Sequence, residues 1–124
     1  MKPAPVQVIP ALYDFTAWIS AKLSRFPKAH RFTVGDRLMT GSLDVLDQLI
    51  EAQFSPATRT VSLQRANATL ERVRYLVRLS KDLNCLTIAE YEYAAKSLLT
   101  VGKMVGGWSR HGAARAITTI VEQP

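Results

Sequence analysis

The side chains with the greatest potential for catalysis or metal binding are few and widely separated. Asp44, Asp47 and Glu51 recur at helical spacing, so they would lie on one side of a helix. Acids placed in this way are usually solvated, or they pair with the arginines of a neighbouring subunit. His30 and His111 have no carboxylates at ligand spacing beside them, as a metal site would require. The sequence therefore predicts no metal site, no cofactor and no catalytic group, and it indicates that the chain is not an enzyme.

Residues 101–108 (VGKMVGGW) combine three glycines with a lysine. This segment lacks the GxxxxGK[ST] order and the preceding strand of a phosphate-binding loop, which excludes nucleotide binding of that kind. Gly102 and Gly106 are four residues apart and would share one face of a helix. We expect them to allow close packing against a second helix.

The composition favours one soluble domain. The chain has 124 residues, of which 48% are hydrophobic and 21% are charged, and its net charge is +6. No apolar run approaches the ~20 residues of a transmembrane helix, so no membrane partner is expected. Cys85 is the only cysteine, and the N-terminal residues lack the unbroken apolar region of a secretory signal, so we expect a cytoplasmic protein. The basic surplus indicates either solubility alone or binding to a polyanion.

Apolar residues at spacings of three and four predict four helices, over residues 11–24, 34–54, 60–82 and 87–110. Short connections make consecutive helices antiparallel neighbours. The sequence therefore predicts an all-α fold, an up-and-down antiparallel four-helix bundle over residues 11–111. Three prolines in the first ten residues predict an extended arm over residues 1–10. Residues 112–124 are predicted to form a tail that contains a weak strand pattern.

Basic side chains form rows on the last two predicted helices. Helical placement puts them in three rows: Arg65 and Arg72; Arg74, Arg78 and Lys81; and Lys96, Lys103 and Arg110. Glu71 is the only acid between Gln53 and Lys81, so these arginines have few acidic partners near them in sequence. The rows either cover the edges of a bundle core with long side chains or bind nucleic acid. Binding to nucleic acid would weaken steeply as salt rises, because each neutralised phosphate releases counterions.

The fourth predicted helix carries more apolar residues than one core face needs. Its predicted core face consists of Ile88, Tyr91, Ala95, Leu98, Leu99, Gly102 and Val105. Apolar residues outside the predicted seams of the last two helices include Leu76, Leu79, Tyr93, Val101, Met104 and Trp108. Because a monomer rarely exposes so much contiguous apolar surface, these six residues are predicted to form an oligomer interface. The alternative is a wide, irregular core that buries both faces.

Three segments occur in a recognisable order: residues 26–37, the arginine-rich residues 70–79, and residues 101–108. Together they resemble the accessory variability determinant proteins of diversity-generating retroelements, and the resemblance extends over about residues 12–110. This family is part of a wider group of small four-helix bundles that includes proteins encoded in intervening sequences of ribosomal RNA genes. The chain departs from the family at Thr100 and Lys103, where an acid and an arginine are common. Lysine cannot supply the bidentate fork of arginine.

The resemblance implies a ring-like homopentamer of four-helix bundles that binds a reverse transcriptase and RNA or DNA. Such a subunit supports the mutagenic copying of a template repeat without being the polymerase. From the matching motifs and the basic rows, contacts to reverse transcriptase or nucleic acid are expected at Lys28, Arg31, Arg37, Arg65, Arg72, Arg74, Arg78, Lys96, Lys103 and Arg110. The alternative is an oligomeric structural or interaction protein whose basic surface is not specific for nucleic acid.

Overall fold

Four long helices make up most of the computed structural model, which describes the backbone of residues 4–122 and the side chains of residues 7–110. The helices are α1 (Ala4–Leu23), the single turn α2 (Lys28–Arg31), α3 (Val34–Phe54), α4 (Arg59–Asp82) and α5 (Ile88–Glu122), with a 3-10 turn at Pro56–Thr58. Residues 4–122 contain no strand, which confirms the predicted all-α fold. Among the described residues, no helix has the length and apolarity that a bilayer span requires.

Each long helix packs against two others. Helix α3 lies between α1 and α4, and α5 contacts both α4 and α1. The end of α1 meets the start of α5, where Nη2 of Arg25 lies 2.6 Å from Oε2 of Glu90, so these two helices run antiparallel. The short connections give the same relationship to α3 with α4 and to α4 with α5. The described residues thus form an antiparallel four-helix bundle.

The core consists of apolar side chains that recur every three or four residues on each helix. Its fully buried members include Leu12, Phe15 and Ile19 of α1, Leu38, Val45 and Leu49 of α3, Leu70, Val73 and Val77 of α4, and Leu98, Val101 and Val105 of α5. Burying one such large aliphatic or aromatic side chain stabilises the fold by roughly 1.5–3 kcal/mol. Helices α3 and α4 approach closely at Gly41, where a Cβ atom would lie 2.9 Å from Cγ2 of Val73.

The N-terminal segment is helical from Ala4 onward, so the prediction of an extended arm over residues 1–10 was wrong for this part. Pro10 lies inside α1 with its side chain exposed. Proline in a helix interior costs about 3 kcal/mol, because it removes a hydrogen bond and crowds the preceding turn. Val8 and Leu12 flank it and are buried in the core, and their burial offsets that cost. Residues 1–3 lie outside the described part of the chain.

Helix α5 is longer than predicted, since it continues past residue 110 to Glu122. The weak strand pattern near the end of the chain was therefore misleading, because residues up to Glu122 are helical. The side chains of residues 111–124, including the predicted tail and His111, lie outside the described side chains.

The buried face of α5 differs from the predicted one. Val101 and Trp108, predicted at an oligomer interface, are only 1% and 5% exposed and belong to the core of the chain itself. Ile88 and Leu99, predicted in the core, are 70% and 49% exposed. Helix α5 packs against both α4 and α1, so apolar residues on more than one of its faces are buried within the chain. The alternative of a wide core was therefore correct for Val101 and Trp108.

Candidate nucleic-acid interface

A groove between α4 and α5 brings together basic residues from two helices. Its volume is about 250 Å³, and it is lined by Asn67, Leu70, Glu71, Arg74, Leu99, Gly102 and Lys103. Arg74 and Lys103 were both predicted to bind a partner, but on separate rows. The antiparallel packing of α4 and α5 places them in one groove.

Arg74 is held across the groove by contacts to both helices. Its Nη2 donates to the carbonyl oxygen of Leu98 at 3.3 Å, and its Nη1 donates to Oε2 of Glu71 at 3.4 Å. Gly102 leaves the space that the guanidinium occupies, because a Cβ atom at this position would overlap Nη2. The gap left by the missing side chain at Gly102 therefore admits a guanidinium, which corrects the expectation that this glycine brings two helix backbones together.

A second guanidinium lies over the next glycines of α5. A Cβ atom at Gly106 would lie 3.3 Å from Nη1 of Arg110, and one at Gly107 would lie 4.0 Å from Nη2. Arg110 is one turn further along the same helix, so its side chain folds back over the glycines and remains exposed. The glycines of residues 101–108 thus leave space on the surface of α5, and two arginine head groups lie in that space.

Further cations extend this basic surface. Helical position places Arg78 and Lys81 of α4 on the α5 side, and Lys96 of α5 is exposed. Lys81 is partly engaged, since its Nζ lies 3.5 Å from Oδ1 of Asp82 and 4.6 Å from the ring centroid of Tyr91. Among the described residues, Arg78, Lys96 and Lys103 take part in no salt bridge. These three charges are open to an anionic partner.

The other predicted basic residues lie away from the groove. Lys28 on α2 and Arg37 on α3 are exposed. Arg65 and Arg72 are exposed on the flank of α4 opposite Arg74. The structure therefore separates the predicted binding residues into a groove set and several outlying positions.

Arg31 fixes the connection between α1 and α3. Its Nη2 donates to the carbonyl oxygens of Ser24 at 3.0 Å and of Phe26 at 3.2 Å. Its Nε is buried and has no hydrogen-bond partner among the described residues. The Phe26 side chain beside it is 1% exposed and belongs to the core. Arg31 thus contributes to the structure of this loop.

A larger cleft, of about 410 Å³, lies where the end of α1 meets the start of α5. Its centre is a capping box that the sequence analysis missed, although the Thr-x-x-Glu pattern of Thr87 and Glu90 signals it. The Thr87 N–H donates to Oε1 of Glu90 at 2.9 Å, and the Glu90 N–H donates to Oγ1 of Thr87 at 3.1 Å. Lys22 and Arg25 approach Oε2 of Glu90 at 3.5 Å and 2.6 Å. Both cations in this cleft therefore share one carboxylate, Glu90, as their partner within the chain.

The capping box also affects the acidity of the groups in this cleft. The hydrogen bond from the Thr87 backbone lowers the pKa of Glu90, and the Thr87 hydroxyl, Arg25 and Lys22 act in the same direction against the opposing effect of burial. Burial raises the pKa of the Cys85 thiol. No group of three or more potential metal ligands occurs among the described residues.

The remaining residues of the predicted oligomer interface do not form one surface. Leu76 and Met104 are partly buried and pack against the core. Leu79 and Tyr93 are 45% and 51% exposed. Tyr93 packs on Trp18 of α1 with ring centroids 4.7 Å apart. Leu79 shares the flank of α4 that faces away from the groove, whereas Tyr93 lies against α1, so the two side chains are on different sides of the bundle.

A family model described as bAvd-like matches residues 7–111, a range that contains the whole groove and the three segments on which the resemblance was based. No curated protein and no solved structure matches the chain.

Proposed function

Because this chain belongs to the bAvd-like family, we propose that it is a cytoplasmic, non-catalytic accessory subunit of a diversity-generating retroelement. In this role it binds the reverse transcriptase of the element and nucleic acid, either the template RNA or its DNA copy, and so supports mutagenic retrohoming. It acts as a ring-like homo-oligomer, with five subunits as the family resemblance implies.

The convergence of Arg74 and Lys103 in one groove carries this proposal. Arg74 donates a hydrogen bond to the Leu98 carbonyl, and its guanidinium fits the space beside Gly102. Because the side chain is already ordered, little side-chain entropy is lost when it binds a phosphate. Its planar head group has more N–H donors than these contacts use, and it suits a phosphate oxygen pair. Lys103 adds an exposed charge from the facing helix.

The distribution of charge supports the same role. The acids of α3 include Asp36, Asp44, Asp47 and Glu51, whereas the exposed cations Arg78, Lys96 and Lys103 lie on α4 and α5. A surface with an excess of positive charge raises the local concentration of a polyanion and gives binding that depends on salt. In a symmetric oligomer, this surface would be repeated on each subunit.

The basic surface is tested by neutralising together Lys103 of the groove and the two unpaired cations that extend it, with Arg78→Ala, Lys96→Ala and Lys103→Ala. We expect the affinity for template RNA to fall, and the slope of log K against log salt to decrease by about 0.7–0.9 for each phosphate that is no longer neutralised. Fluorescence anisotropy across a salt series measures both quantities. The thermal midpoint should change little, because all three side chains are exposed.

The matched control removes three exposed charges elsewhere, with Arg25→Ala, Lys28→Ala and Arg37→Ala. A smaller loss of affinity in this control than in the groove variant supports the groove as the main binding surface. Equal losses would show that binding follows net charge, which favours the alternative of an oligomeric interaction protein with an unspecific basic surface. Unchanged binding in the groove variant would reject the role of the groove.

The partnership with the polymerase requires its own experiment. The chain should copurify with a reverse transcriptase encoded beside it and with the RNA of that element, and the complex should weaken as salt rises. If the chain never copurifies with the polymerase at low salt, the accessory role is wrong even if RNA binding persists.

A further inference from the structure

Two exposed stripes, one on α3 and one on α4, have the same spacing and the same length. The α3 stripe consists of Asp36, Thr40, Leu43, Asp47, Ile50 and Phe54, and the α4 stripe consists of Val61, Arg65, Ala68, Arg72, Tyr75 and Leu79. All twelve residues are exposed. Within each stripe the spacing alternates between four and three residues, which keeps all six residues on one face of the helix. Each stripe is ~27 Å long at the rise of an α-helix.

The stripes hold a large part of the exposed apolar surface. Of the eleven large apolar residues that are exposed among the described side chains, six lie on the two stripes. They include Phe54 at 76%, Tyr75 at 63% and Val61 at 48% exposure. Aligned apolar side chains on a helix surface are typical of a protein–protein contact.

The charges of the two stripes are opposite. The charged residues of the α3 stripe are Asp36 and Asp47, and those of the α4 stripe are Arg65 and Arg72. None of these four residues forms a salt bridge with another described residue. A contact between the two stripes would therefore pair acids with arginines among apolar neighbours.

We propose that the α3 stripe of one copy of the chain packs against the α4 stripe of a second copy. Equal length, equal spacing and opposite charge on the same chain point to a second copy as the occupant. The inference rests on the oligomeric part of the proposed function and identifies the surfaces that build it. The contact joins two different faces of the chain. Copies can therefore assemble either as a twofold dimer, in which the contact occurs twice, or as a closed ring. The contact retains Leu79 of the predicted interface and replaces the other five residues, Leu76, Tyr93, Val101, Met104 and Trp108.

Complementation between two variants tests this contact. One variant, Asp47→Arg with Phe54→Arg, disrupts the α3 stripe, and the other, Arg72→Asp with Tyr75→Asp, disrupts the α4 stripe. Sedimentation velocity over a concentration series should show that each variant associates with itself roughly 30-fold more weakly than the unaltered chain. Each variant keeps the stripe that is disrupted in the other, so an equimolar mixture should form pairs again.

The control makes matching changes on another surface. Tyr13→Arg with Asp14→Arg also replaces an exposed aromatic residue and an acid, but on α1. This control should form assemblies of the same mass as the unaltered chain does, and circular dichroism should show that all three variants fold.

Three results would overturn the proposal: an unaltered chain that is monomeric across the series, stripe variants that associate as the unaltered chain does, or a mixture that remains monomeric. A monomeric chain would assign the stripes to a different protein partner. The neutralised groove variant changes RNA affinity without touching either stripe, so failure of the nucleic-acid proposal is seen separately from failure of this one.

Discussion

The guanidinium of Arg74 occupies the space that a side chain at Gly102 would need. Its Nη2 donates to the carbonyl oxygen of Leu98, one turn earlier on the same helix as the glycine. Arg74, the cation that α4 contributes to the groove, can therefore take this position only because residue 102 has no side chain. This relationship links a helix-destabilising residue to a candidate binding group.

Gly102→Ala should weaken RNA binding without weakening the fold. The new methyl group displaces the flexible end of Arg74, while alanine favours the helix by about 1 kcal/mol over glycine. We expect a thermal midpoint that is unchanged or higher, together with an RNA affinity about tenfold lower, equivalent to ~1.4 kcal/mol. Differential scanning calorimetry and fluorescence anisotropy measure the two effects.

Gly107→Ala is the matched control, because its nearest neighbour would be Nη2 of Arg110 at 4.0 Å, an ordinary contact. It gains the same helix propensity and should retain full RNA affinity. Equal affinities in the Gly102 and Gly107 variants would contradict the importance of the Arg74 position.

Gly41→Ala should destabilise the bundle. Its Cβ atom would lie 2.9 Å from Cγ2 of Val73, and both positions are buried between α3 and α4. Overpacking of this kind costs about 1–3 kcal/mol, and urea unfolding measures it. Adding Val73→Ala makes room for the methyl group, so the double variant should lose less stability than the sum of the two single variants. Additive losses would show that the clash is relieved in another way.

Glu90→Gln should reduce stability near pH 7 and make little difference in strong acid. The folded-state pKa of Glu90 is lowered, so the charged carboxylate stabilises the fold above the unfolded-state pKa, and this contribution is lost as the pH falls through the folded-state value. We expect a loss of about 0.3–1 kcal/mol at pH 7, the contribution of a negative charge at a helix N-terminus, because glutamine can keep the cap hydrogen bond. Urea unfolding at pH 7 and at successively lower pH should show the two proteins converging below about pH 4.3.

Glu92→Gln provides the comparison for Glu90, since Glu92 is exposed and forms no salt bridge with a described residue. Its unfolding free energy should stay within about 0.5 kcal/mol of the original chain. If the Glu90 difference is the same at every pH, the charge of the carboxylate is not what stabilises the cap.

Trp108→Ala should primarily destabilise the chain. Trp108 is 5% exposed within the core, so its truncation leaves a cavity and costs about 3–5 kcal/mol. Thermal unfolding measures this loss. Tyr93→Ala, at a 51% exposed position on the same helix, should cost clearly less. A Trp108→Ala variant that keeps its full stability but forms a smaller assembly would support an interface role instead.

Local patterns were sufficient for the elements of this fold. Spacings of three and four residues located the predicted helices over residues 34–54 and 60–82 close to α3 and α4. The segments around Arg74 and Lys103 identified the family that the match over residues 7–111 then showed. The same patterns failed at Pro10, because a local propensity for extended structure was weaker than the burial of Val8 and Leu12.

Only the tertiary structure decided which neighbours cover each helix. The sequence alone determined that α5 has two apolar faces, that its glycines share a side, and that the cations lie in rows. Periodicity cannot distinguish a face that meets α1 from one that meets water, so Val101 and Trp108 were placed on the wrong surface. The meeting of Arg74 with Gly102 depends on the packing of α4 against α5. Contacts between distant parts of the chain follow from how the helices pack, which no local spacing encodes.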